Sequence, residues 1–179
     1  MKAPLLTTLF GPVRRVLADG GKLMERRTTK DGKPFRIGAP DFSIACLRHA
    51  DGTLSRLTTN FYIAGPNTRV REGLEVHGDA GSLILESTSS PNCAVRLGAF
   101  GAEMRNVPLV RPGPQGVEWA RPLDDLGAAL RERRRPRCTG EHAAHVLDIC
   151  KSIEKSIARG RAIALTSTFV RPAPMPWAA

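Results

Sequence analysis

The stretch Asp41–Ile63 reads DFSIACLRHADGTLSRLTTNFYI and decides the fold. Within it, Asp51-Gly52 separates two runs of β-prone residues, and an Asp-Gly pair in this position is a strong signal for a β-hairpin. Because side chains alternate along a strand, the second run presents one face with Leu57, Thr59, Phe61 and Ile63, and another with Arg56, Thr58, Asn60 and Tyr62. The stretch therefore predicts two antiparallel strands, Asp41–His49 and Leu54–Ile63.

The residues before this hairpin predict a short helix and one more strand. Apolar side chains at positions 5, 6, 9 and 10 recur at helical spacing, and Gly11-Pro12 ends the pattern as a helix C-terminus does. We interpret residues 1–12 as the last turns of a helix, which is too short to persist in water without packing. Val13–Ala18 is a candidate strand, and residues 19–40, rich in Gly, Lys, Arg and Pro, predict a long loop.

Shorter strands are predicted after the hairpin. Leu74–His77 and Ser82–Glu86 flank the turn sequence Gly78-Asp79-Ala80-Gly81 and form a second candidate hairpin. Alternation of apolar and polar residues gives three further candidates, which are Val95–Leu97, Val107–Val110 and Ala162–Val170. The tail 171–179 holds three prolines and cannot continue a sheet, because proline has no N–H to donate to a neighbouring strand.

Two helices are predicted between these strands. Pro122 and the acids Asp124 and Asp125 favour a helix start, and Leu123, Leu126 and Leu130 then fall on one side. The second helix begins near Thr139, runs to about Arg159 and ends at Gly160. Its apolar stripe consists of Val146, Ile149, Cys150, Ile153 and Ile157.

The order of these elements predicts the fold class. Consecutive antiparallel hairpins, followed by helices and a closing strand, indicate an α+β domain. We expect an open, mostly antiparallel β-sheet with helices packed on one face, spanning residues 13–170, with the Pro-rich tail 171–179 outside it.

A formal net charge of +10 raises the question of nucleic-acid binding. The cations are spread evenly, with 13 Lys or Arg in positions 1–90 and 14 in positions 91–179. One dense cluster lies at the end of the first predicted helix and consists of Arg131, Arg133, Arg134, Arg135 and Arg137. A solvated helix end is the favoured interpretation of this cluster, and an anion or subunit contact is the alternative. The cluster contains no aromatic residue on which a base could stack, so nucleic-acid binding is a lesser alternative for the chain.

The cysteines and the N-terminal residues indicate the cellular compartment of the protein. The four cysteines, at positions 46, 93, 138 and 150, form no Cys-x-x-Cys pair and match no zinc pattern, which favours free thiols in a reducing compartment. No apolar run approaches the ~20 residues of a membrane-spanning helix, and the first residues lack the features of a signal peptide. We expect a cytoplasmic protein that does not bind membranes.

No catalytic constellation is evident from the motifs. Gly-x-Gly-x-x-Gly, Walker-type and Gly-x-Ser-x-Gly sequences are absent. In Gly140-Glu141-His142-Ala143-Ala144-His145 the histidines stand three apart, whereas a zinc-binding helix needs four, and no third ligand is indicated. We therefore predict no metal, and expect His142 to be a hydrogen-bonded residue at the rim of the core. His77 is expected to form an ion pair with a neighbouring strand, and His49 carries no signal.

Five segments together resemble the C-terminal domain of the Gfo/Idh/MocA-type NAD(P)-dependent oxidoreductases. In chain order they are 9–16 (LFGPVRRV), 56–62 (RLTTNFY), 73–83 (GLEVHGDAGSL), 140–146 (GEHAAHV), and 166–169 (TSTF) with 172–177 (PAPMPW). The resemblance implies a mostly antiparallel sheet that shapes a substrate site and mediates homo-oligomer formation. It also implies hydride transfer between NAD or NADP and a sugar or cyclitol in the full-length family.

The same resemblance implies that the chemistry resides elsewhere. The family's cofactor-binding Rossmann domain and its Glu-Lys-Pro triplet have no counterpart here, and the family's Asp and His are expected upstream of Leu5. We therefore assign no catalytic and no cofactor-binding residue. The Rossmann domain would be encoded upstream or supplied in trans, and the chain would be inactive alone. The alternatives are a non-catalytic binding or scaffold module of the same fold, and a basic nucleic-acid-binding protein.

Candidate contacts to a small hydroxylated substrate come from one strand face and the loop after it. They are Asn60, Tyr62 and Arg71. Tyr62 is the only tyrosine and could hydrogen-bond a hydroxyl group, or it could pack at an interface between subunits.

Overall fold

The computed structural model describes residues 2–61, 73–114 and 118–175. Two compact units divide the chain: the first comprises residues 1–66 and 133–173, and the second comprises residues 67–132 and 174–179. The predicted α+β class is confirmed. The described residues form two four-stranded antiparallel sheets and a small hairpin, however, where the sequence predicted one sheet over residues 13–170.

The first unit is built on a sheet with the strand order β10-β1-β4-β5. These strands are β1 (Val13–Gly21), β4 (Phe42–His49), β5 (Leu54–Asn60) and β10 (Ile163–Ala164). The hairpin predicted around Asp51-Gly52 is confirmed, with Arg48 paired to Leu54 and Phe42 paired to Asn60. All of its ladders are antiparallel.

One face of this sheet is covered by helix α3 (Gly140–Arg159), which packs on β1. The helix begins after the N-cap Thr139, whose side chain accepts the His142 N–H, and ends at Gly160, whose φ of 58° suits glycine. Its buried face meets the inward side chains of the strands. The core members are Val13, Val16, Ala18, Ala45, Leu47, Leu57, Val146, Ile149 and Ile153.

Helix α1 (Ala3–Phe10) confirms the helix predicted before β1. It ends at Gly11, which has a φ of 76° and donates its N–H to the carbonyl of Thr7. Although α1 is short, Ala3, Leu6 and Thr7 are buried, and the helix packs on α3. Tertiary contacts therefore supply the stability that so short a helix lacks by itself.

The long loop predicted over residues 19–40 was wrong in part. This region contains the end of β1 and a hairpin of β2 (Arg26–Thr28) and β3 (Pro34–Arg36), with Arg27 opposite Phe35. Strands of three residues are too short to show a clear alternation in sequence. A buried carboxylate, Asp41, anchors the segment that leads into β2, as described below.

The strand predicted over Ala162–Val170 was also wrong in extent, because only Ile163 and Ala164 pair with β1. The pairing of β1 with β4 shifts register between Val13 and Arg15, and Leu165 donates its N–H to the carbonyl of Arg14. The ladder ends at this irregularity. The side chains still alternate after it, with Leu165 and Phe169 buried.

The second unit contains a sheet with the strand order β6-β7-β8-β9. Its strands are β6 (Leu74–Gly78), β7 (Gly81–Leu85), β8 (Val95–Ala99) and β9 (Arg105–Val107). Strand β9 stops at Val107, earlier than the predicted Val107–Val110, because Pro108 has no N–H to donate. Pairing across the four strands aligns apolar side chains in rows, one of which is Leu74, Leu85, Val95 and Val107. These rows give the sheet one apolar face.

Helix α2 (Arg121–Glu132) confirms the predicted helix in the second unit. Its leucines lie on one side as predicted, but they are exposed: 69% for Leu123, 43% for Leu126 and 74% for Leu130. Ala129 is its buried residue. None of the helices in the described ranges has the length and apolar character needed to cross a membrane.

Candidate functional site

The sheet of the first unit has one face that α3 does not cover, and we call it the open face. Side chains of β1, β4 and β5 alternate between this face and the core, so every second residue is exposed. The open face consists of Arg15, Leu17 and Asp19 from β1, Ile44, Cys46 and Arg48 from β4, and Leu54, Arg56, Thr58 and Asn60 from β5.

Register arranges these side chains in rows across the three strands. The first row is Arg15, Arg48 and Leu54; the second is Leu17, Cys46 and Arg56; the third is Asp19, Ile44 and Thr58. Paired residues on one face have Cβ atoms about 5 Å apart, so each row is a line of neighbouring side chains. The open face is thus a mixed surface of aliphatic groups and arginines, a composition typical of protein interfaces.

The charges on the open face are unbalanced. Arg15 and Arg48 stand directly opposite each other, and like charges in that arrangement destabilise a sheet. Within the part of the chain that the structure describes, no carboxylate forms an ion pair with Arg15, Arg48 or Arg56. The one acid on this face, Asp19, accepts the N–H of Gly20 at 2.7 Å.

Of the three predicted substrate contacts, Asn60 is described and lies on the open face at the end of β5, paired with Phe42. Tyr62 and Arg71 lie outside the described residues. Phe61, between Asn60 and the undescribed segment, is 72% exposed. Its N–H bonds to the carbonyl of Asp41 at 2.8 Å.

A buried carboxylate fixes this end of β5. The Asp41 side chain accepts the backbone N–H groups of Leu23 and Met24 at 2.7 and 3.0 Å, and the Arg27 guanidinium at 2.7 Å. Arg27 also donates to the carbonyl of Phe61 at 3.0 Å. Burial raises the pKa of Asp41, but these hydrogen bonds outweigh it and lower the pKa to about 2. The β2–β3 hairpin is thereby tied to the strand end that carries Asn60.

A second polar cluster lies on the covered side of the sheet, around His145. This imidazole is fully buried, and its Nε2 accepts the backbone N–H of Val13 at 2.9 Å. The ring proton is therefore on Nδ1, which donates to Ser167 Oγ at 2.8 Å. Ser167 in turn donates to Asp148 Oδ2 at 2.6 Å.

The donor-to-acceptor direction of these hydrogen bonds decides whether the cluster could act as a catalytic triad. Asp148, Ser167 and His145 are the residue types of a hydrolase triad, in which the histidine accepts the serine proton. Here the histidine donates to the serine, and the serine donates to the carboxylate. The serine proton points to the carboxylate and not to the histidine, so the cluster does not have the arrangement of a hydrolase triad.

His142 confirms its predicted role as a hydrogen-bonded residue at the rim of the core. Its Nε2 lies 2.7 Å from Thr7 Oγ1 in α1, and its ring stacks on Phe169 with centroids 4.1 Å apart. Burial lowers the pKa of His142. In the described ranges, no group of three side chains could hold a metal ion.

His77 and the cysteines bear out their predicted surroundings only in part. His77 Nε2 lies 3.7 Å from Glu75 on its own strand, whereas the contact with the neighbouring strand is a hydrogen bond to Ser82 at 2.8 Å. All four cysteines are free, but Cys46 and Cys138 are exposed rather than packed as small apolar groups.

Sequence reasoning missed two buried histidines. His49 is 2% exposed and bonds through Nδ1 to the carbonyl of Gly11 at 3.0 Å and through Nε2 to Ser55 at 2.9 Å. The alternation of β4 places His49 on the same face as Leu47, which was a usable signal. His145 stands four residues before Ile149 on α3, and that spacing likewise puts it on the buried face.

Comparison with solved structures identifies the class of fold. An NAD binding oxidoreductase from Klebsiella pneumoniae superposes with a TM-score of 0.73 at 14% identity, over 92% of this chain and 48% of that one. Levoglucosan dehydrogenase in complex with NADH gives 0.71 and 17%, with 92% and 48% covered. An aldose-aldose oxidoreductase from Caulobacter crescentus in complex with glycerol gives 0.65 and 18%, with 87% and 42% covered. The chain thus has a fold found in oxidoreductases and spans about half their length.

The sequence itself narrows the class to a family. Residues 3–84 match the GFO/IDH/MocA C-terminal domain, which confirms the predicted resemblance. The family match covers just under half of the chain, and the solved structures extend the likeness in fold to about nine-tenths of it. No curated protein sequence matches it.

Several of these relatives bind NADH or NAD+, so the fit of a dinucleotide must be considered. In doubly wound folds the pyrophosphate lies where a parallel strand turns through glycines into a helix. Every strand pair among the described residues is antiparallel, and α3 opens on the capping hydroxyl of Thr139 with Glu141 in its first turn. The described residues therefore do not form the pyrophosphate-binding turn of a doubly wound fold, and we derive no hydride-transfer step from them.

Proposed function

We propose that the chain is the substrate-binding and self-assembling part of a Gfo/Idh/MocA-type oxidoreductase, without activity of its own. The observation that carries the proposal is the open face, which is an exposed sheet surface with Asn60 at one end and apolar groups at its centre. NAD or NADP and the proton-transfer residues would come from a Rossmann domain, encoded upstream or supplied in trans. The reaction of the assembled protein would move hydride between that cofactor and a sugar or cyclitol.

The substrate part of the proposal rests on Asn60 and the segment after it. The Asn60 amide offers both a donor and an acceptor, which suits a molecule rich in hydroxyl groups. The Asp41–Arg27 contacts hold the backbone of Phe61, the next residue, through both its N–H and its carbonyl. A fixed strand end of this kind is a good support for polar contacts to a ligand. Tyr62 and Arg71 would add to these contacts.

A titration with L-sorbose, which a levoglucosan dehydrogenase structure contains, tests the substrate part. We expect the NMR amide signals of residues 58–61 to shift during the titration, and Asn60→Ala to reduce the apparent affinity at least threefold. Asp79→Ala, in an exposed turn of the second unit, is the control and should leave the affinity unchanged. Shifts confined to other residues would contradict the proposed position of the site.

The assembly part rests on the aliphatic side chains of the open face. Leu17, Ile44 and Leu54 are 50%, 43% and 62% exposed, and exposed aliphatic groups in a contiguous patch mark interfaces. A second copy with its open face turned towards the first would cover them. Around a two-fold axis along the second row, Asp19 of one copy would face Arg15 of the other. Arg56 would face Arg56 of the second copy, but at the rim, where solvent screens the two charges, because β5 is an edge strand.

Sedimentation velocity tests the assembly part. We expect a concentration-dependent dimer that Leu17→Lys converts to monomer. The control is Leu147→Lys on the outer side of α3, where the leucine is 60% exposed and faces no other element of the proposed dimer. A monomer at all concentrations, or equal effects of both variants, would overturn assembly through the open face.

The scaffold alternative predicts the same fold and dimer but no binding of L-sorbose. The nucleic-acid alternative has less support, because Arg135 pairs with Glu141 and Arg137 donates to the carbonyl of Ala173. Arg134 also donates to the carbonyl of Arg135, so at least three of the five clustered arginines have contacts within the chain.

A further inference from the structure

His145 has both ring nitrogens committed in a way that excludes a second proton. Nδ1 carries the ring proton and donates to Ser167, while Nε2 receives the N–H of Val13 at 2.9 Å. Protonation of Nε2 would set two N–H groups against each other. Since His145 and Val13 are fully buried, water cannot reach between them to accept either hydrogen.

The backbone explains why the Val13 N–H is available to the histidine. The pairing of β1 with β4 shifts register between Val13 and Arg15, so this N–H points away from the ladder. A buried N–H needs an acceptor, and the neutral imidazole is the acceptor that the fold provides. The first residue of β1 therefore depends on the protonation state of a side chain in α3.

His142, three residues earlier on the same face of α3, holds two further segments. The Thr7 hydroxyl lies 3.0 Å from the carbonyls of Ala3 and Pro4, to which it donates, so its lone pair receives the His142 N–H. The His142 ring also covers Phe169. Together His142 and His145 contact α1, the start of β1 and residues 165–169.

The charged and titratable groups around the pair have opposing effects. From α3 itself, Asp148 favours a protonated His145 and His142 disfavours it; from β1, Arg14 disfavours it. Helix α1 contributes no titratable side chain. Strand β4 contributes His49, and the Ser55 hydroxyl bonded to its Nε2 can act either as donor or as acceptor. Residues 165–169 contribute none, and Arg171 beyond them is exposed and bonds to the carbonyl of Leu9.

We propose that His145 is an acid-sensitive latch, which, with the His142 contacts beside it, holds α1, Val13 and residues 165–169 against α3 at neutral pH and releases them at mildly acidic pH. The device goes beyond the proposed function and does not depend on it. Burial is the main cause that lowers the pKa of both histidines. For His145 the hydrogen-bond geometry acts in the same direction, because its Nε2 already accepts the Val13 N–H. The released state, in which the rings are hydrated, binds protons that the closed state excludes.

Native-state hydrogen exchange of the full chain at pH 7.5 and 5.5, corrected for intrinsic exchange rates, tests the latch. We expect protection of residues 5–10, Val13 and 165–169 to fall about tenfold per pH unit below ~6.5 for each histidine that gains a proton on opening. Protection of the β4–β5 ladder should change much less. Equal losses in all of these segments, or no loss in any, would overturn the proposal.

His145→Gln isolates the ionisable group. The glutamine oxygen can accept the Val13 N–H near the position of Nε2 but cannot take up a proton, so the variant should lose at least half of the pH response on a logarithmic scale. His77→Gln, a change at an exposed histidine of the second unit, should keep the full response. A full response in His145→Gln would contradict the latch.

If His145→Gln does not fold, NMR of the wild-type ring nitrogens decides the matter. We expect His145 to remain the Nδ1–H tautomer until the exchange protection of α1 is lost. A His145 ring that becomes doubly protonated while residues 5–10 and 165–169 stay protected would overturn the proposal.

Discussion

Thr7 and His142 stand 135 positions apart in the sequence, yet Oγ1 and Nε2 lie 2.7 Å from each other. This hydrogen bond joins α1 to α3 at the rim of the core. Thr7 is fully buried, whereas its neighbour Thr8 is exposed and bonds only to the carbonyl of Pro4. The pair of threonines therefore offers a matched comparison of one residue type in two environments.

Thr7→Val should lower the free energy of unfolding by about 1–2 kcal/mol. The substitution keeps the shape of the side chain but leaves the half-buried His142 ring without its hydrogen-bond partner in α1, and an unsatisfied group in such a place costs about that much. Thr8→Val should change it by no more than about 0.5 kcal/mol. Urea unfolding measures both, and equal effects would show that the contact with His142 contributes nothing.

Ile149→Ala should be more damaging, at about 2–5 kcal/mol, because the side chain is fully buried between α3 and β1 and its loss leaves a cavity. Leu147 lies on the same helix but is 60% exposed, so Leu147→Ala should cost less than about 1 kcal/mol. Thermal unfolding of both variants beside the wild type checks the difference. A cost for Ile149→Ala below that for Leu147→Ala would contradict the packing of α3 on β1.

Asp41 should make stability fall at acid pH. Its pKa is lowered from 3.8 to about 2 in the folded chain, so the folded state binds this proton less readily than the unfolded state does. The stabilisation is complete above pH ~5 and is lost as the pH falls through 3.8 towards 2. Asp41→Asn should be less stable than the wild type at pH 7 and should show a shallower loss between pH 5 and 2.

The measurement is urea unfolding at several pH values between 5 and 2, with Asp79→Asn in an exposed turn as the control. The control should follow the wild-type profile. If Asp41→Asn loses stability with acid as steeply as the wild type does, Asp41 is not the group responsible.

The elements that the sequence predicted are those with local signals. Thr139 and Gly160 mark the ends of α3 by side-chain capping and by a positive φ, and both signals depend only on residues nearby. Asp51-Gly52 likewise determines the turn between β4 and β5. The alternation around Arg56 and Asn60 predicted which side chains share the open face, since a strand has a period of two.

What could not be predicted depends on distant partners. The tautomer of His145 is decided by the N–H of Val13, 132 positions away. No local sequence pattern around either residue predicts this contact. The β2–β3 hairpin is held by Asp41, whose importance arises from three donors that converge only in the fold. The division into two sheets depends on the absence of pairing between β5 and β6 in the described residues, and each strand alone gives no sign of it.

The last prediction concerns the charges of the open face. Arg15 and Asp19 lie on the same side of β1, four residues apart, which is about 13 Å along a strand and too far for an ion pair within one chain. In the proposed two-fold dimer each would face the other residue of the second copy. Arg15→Asp should therefore place two acids against each other, and Asp19→Arg should place two arginines together. Each single variant should weaken the dimer at least fivefold.

The double variant Arg15→Asp with Asp19→Arg exchanges the charges and should recover dimer formation to within about threefold of the wild type. Sedimentation velocity at low ionic strength measures all four proteins, and the recovery should shrink at high salt because exposed charges are screened. Arg48 lies opposite Arg15 within each copy. The double variant therefore also removes the repulsion between these two arginines and lets Arg48 form an ion pair with the acid introduced at position 15. Recovery in the double variant but not in either single variant requires the two positions to face each other. Additive losses would place the two residues in separate environments and rule out this two-fold arrangement of the open faces.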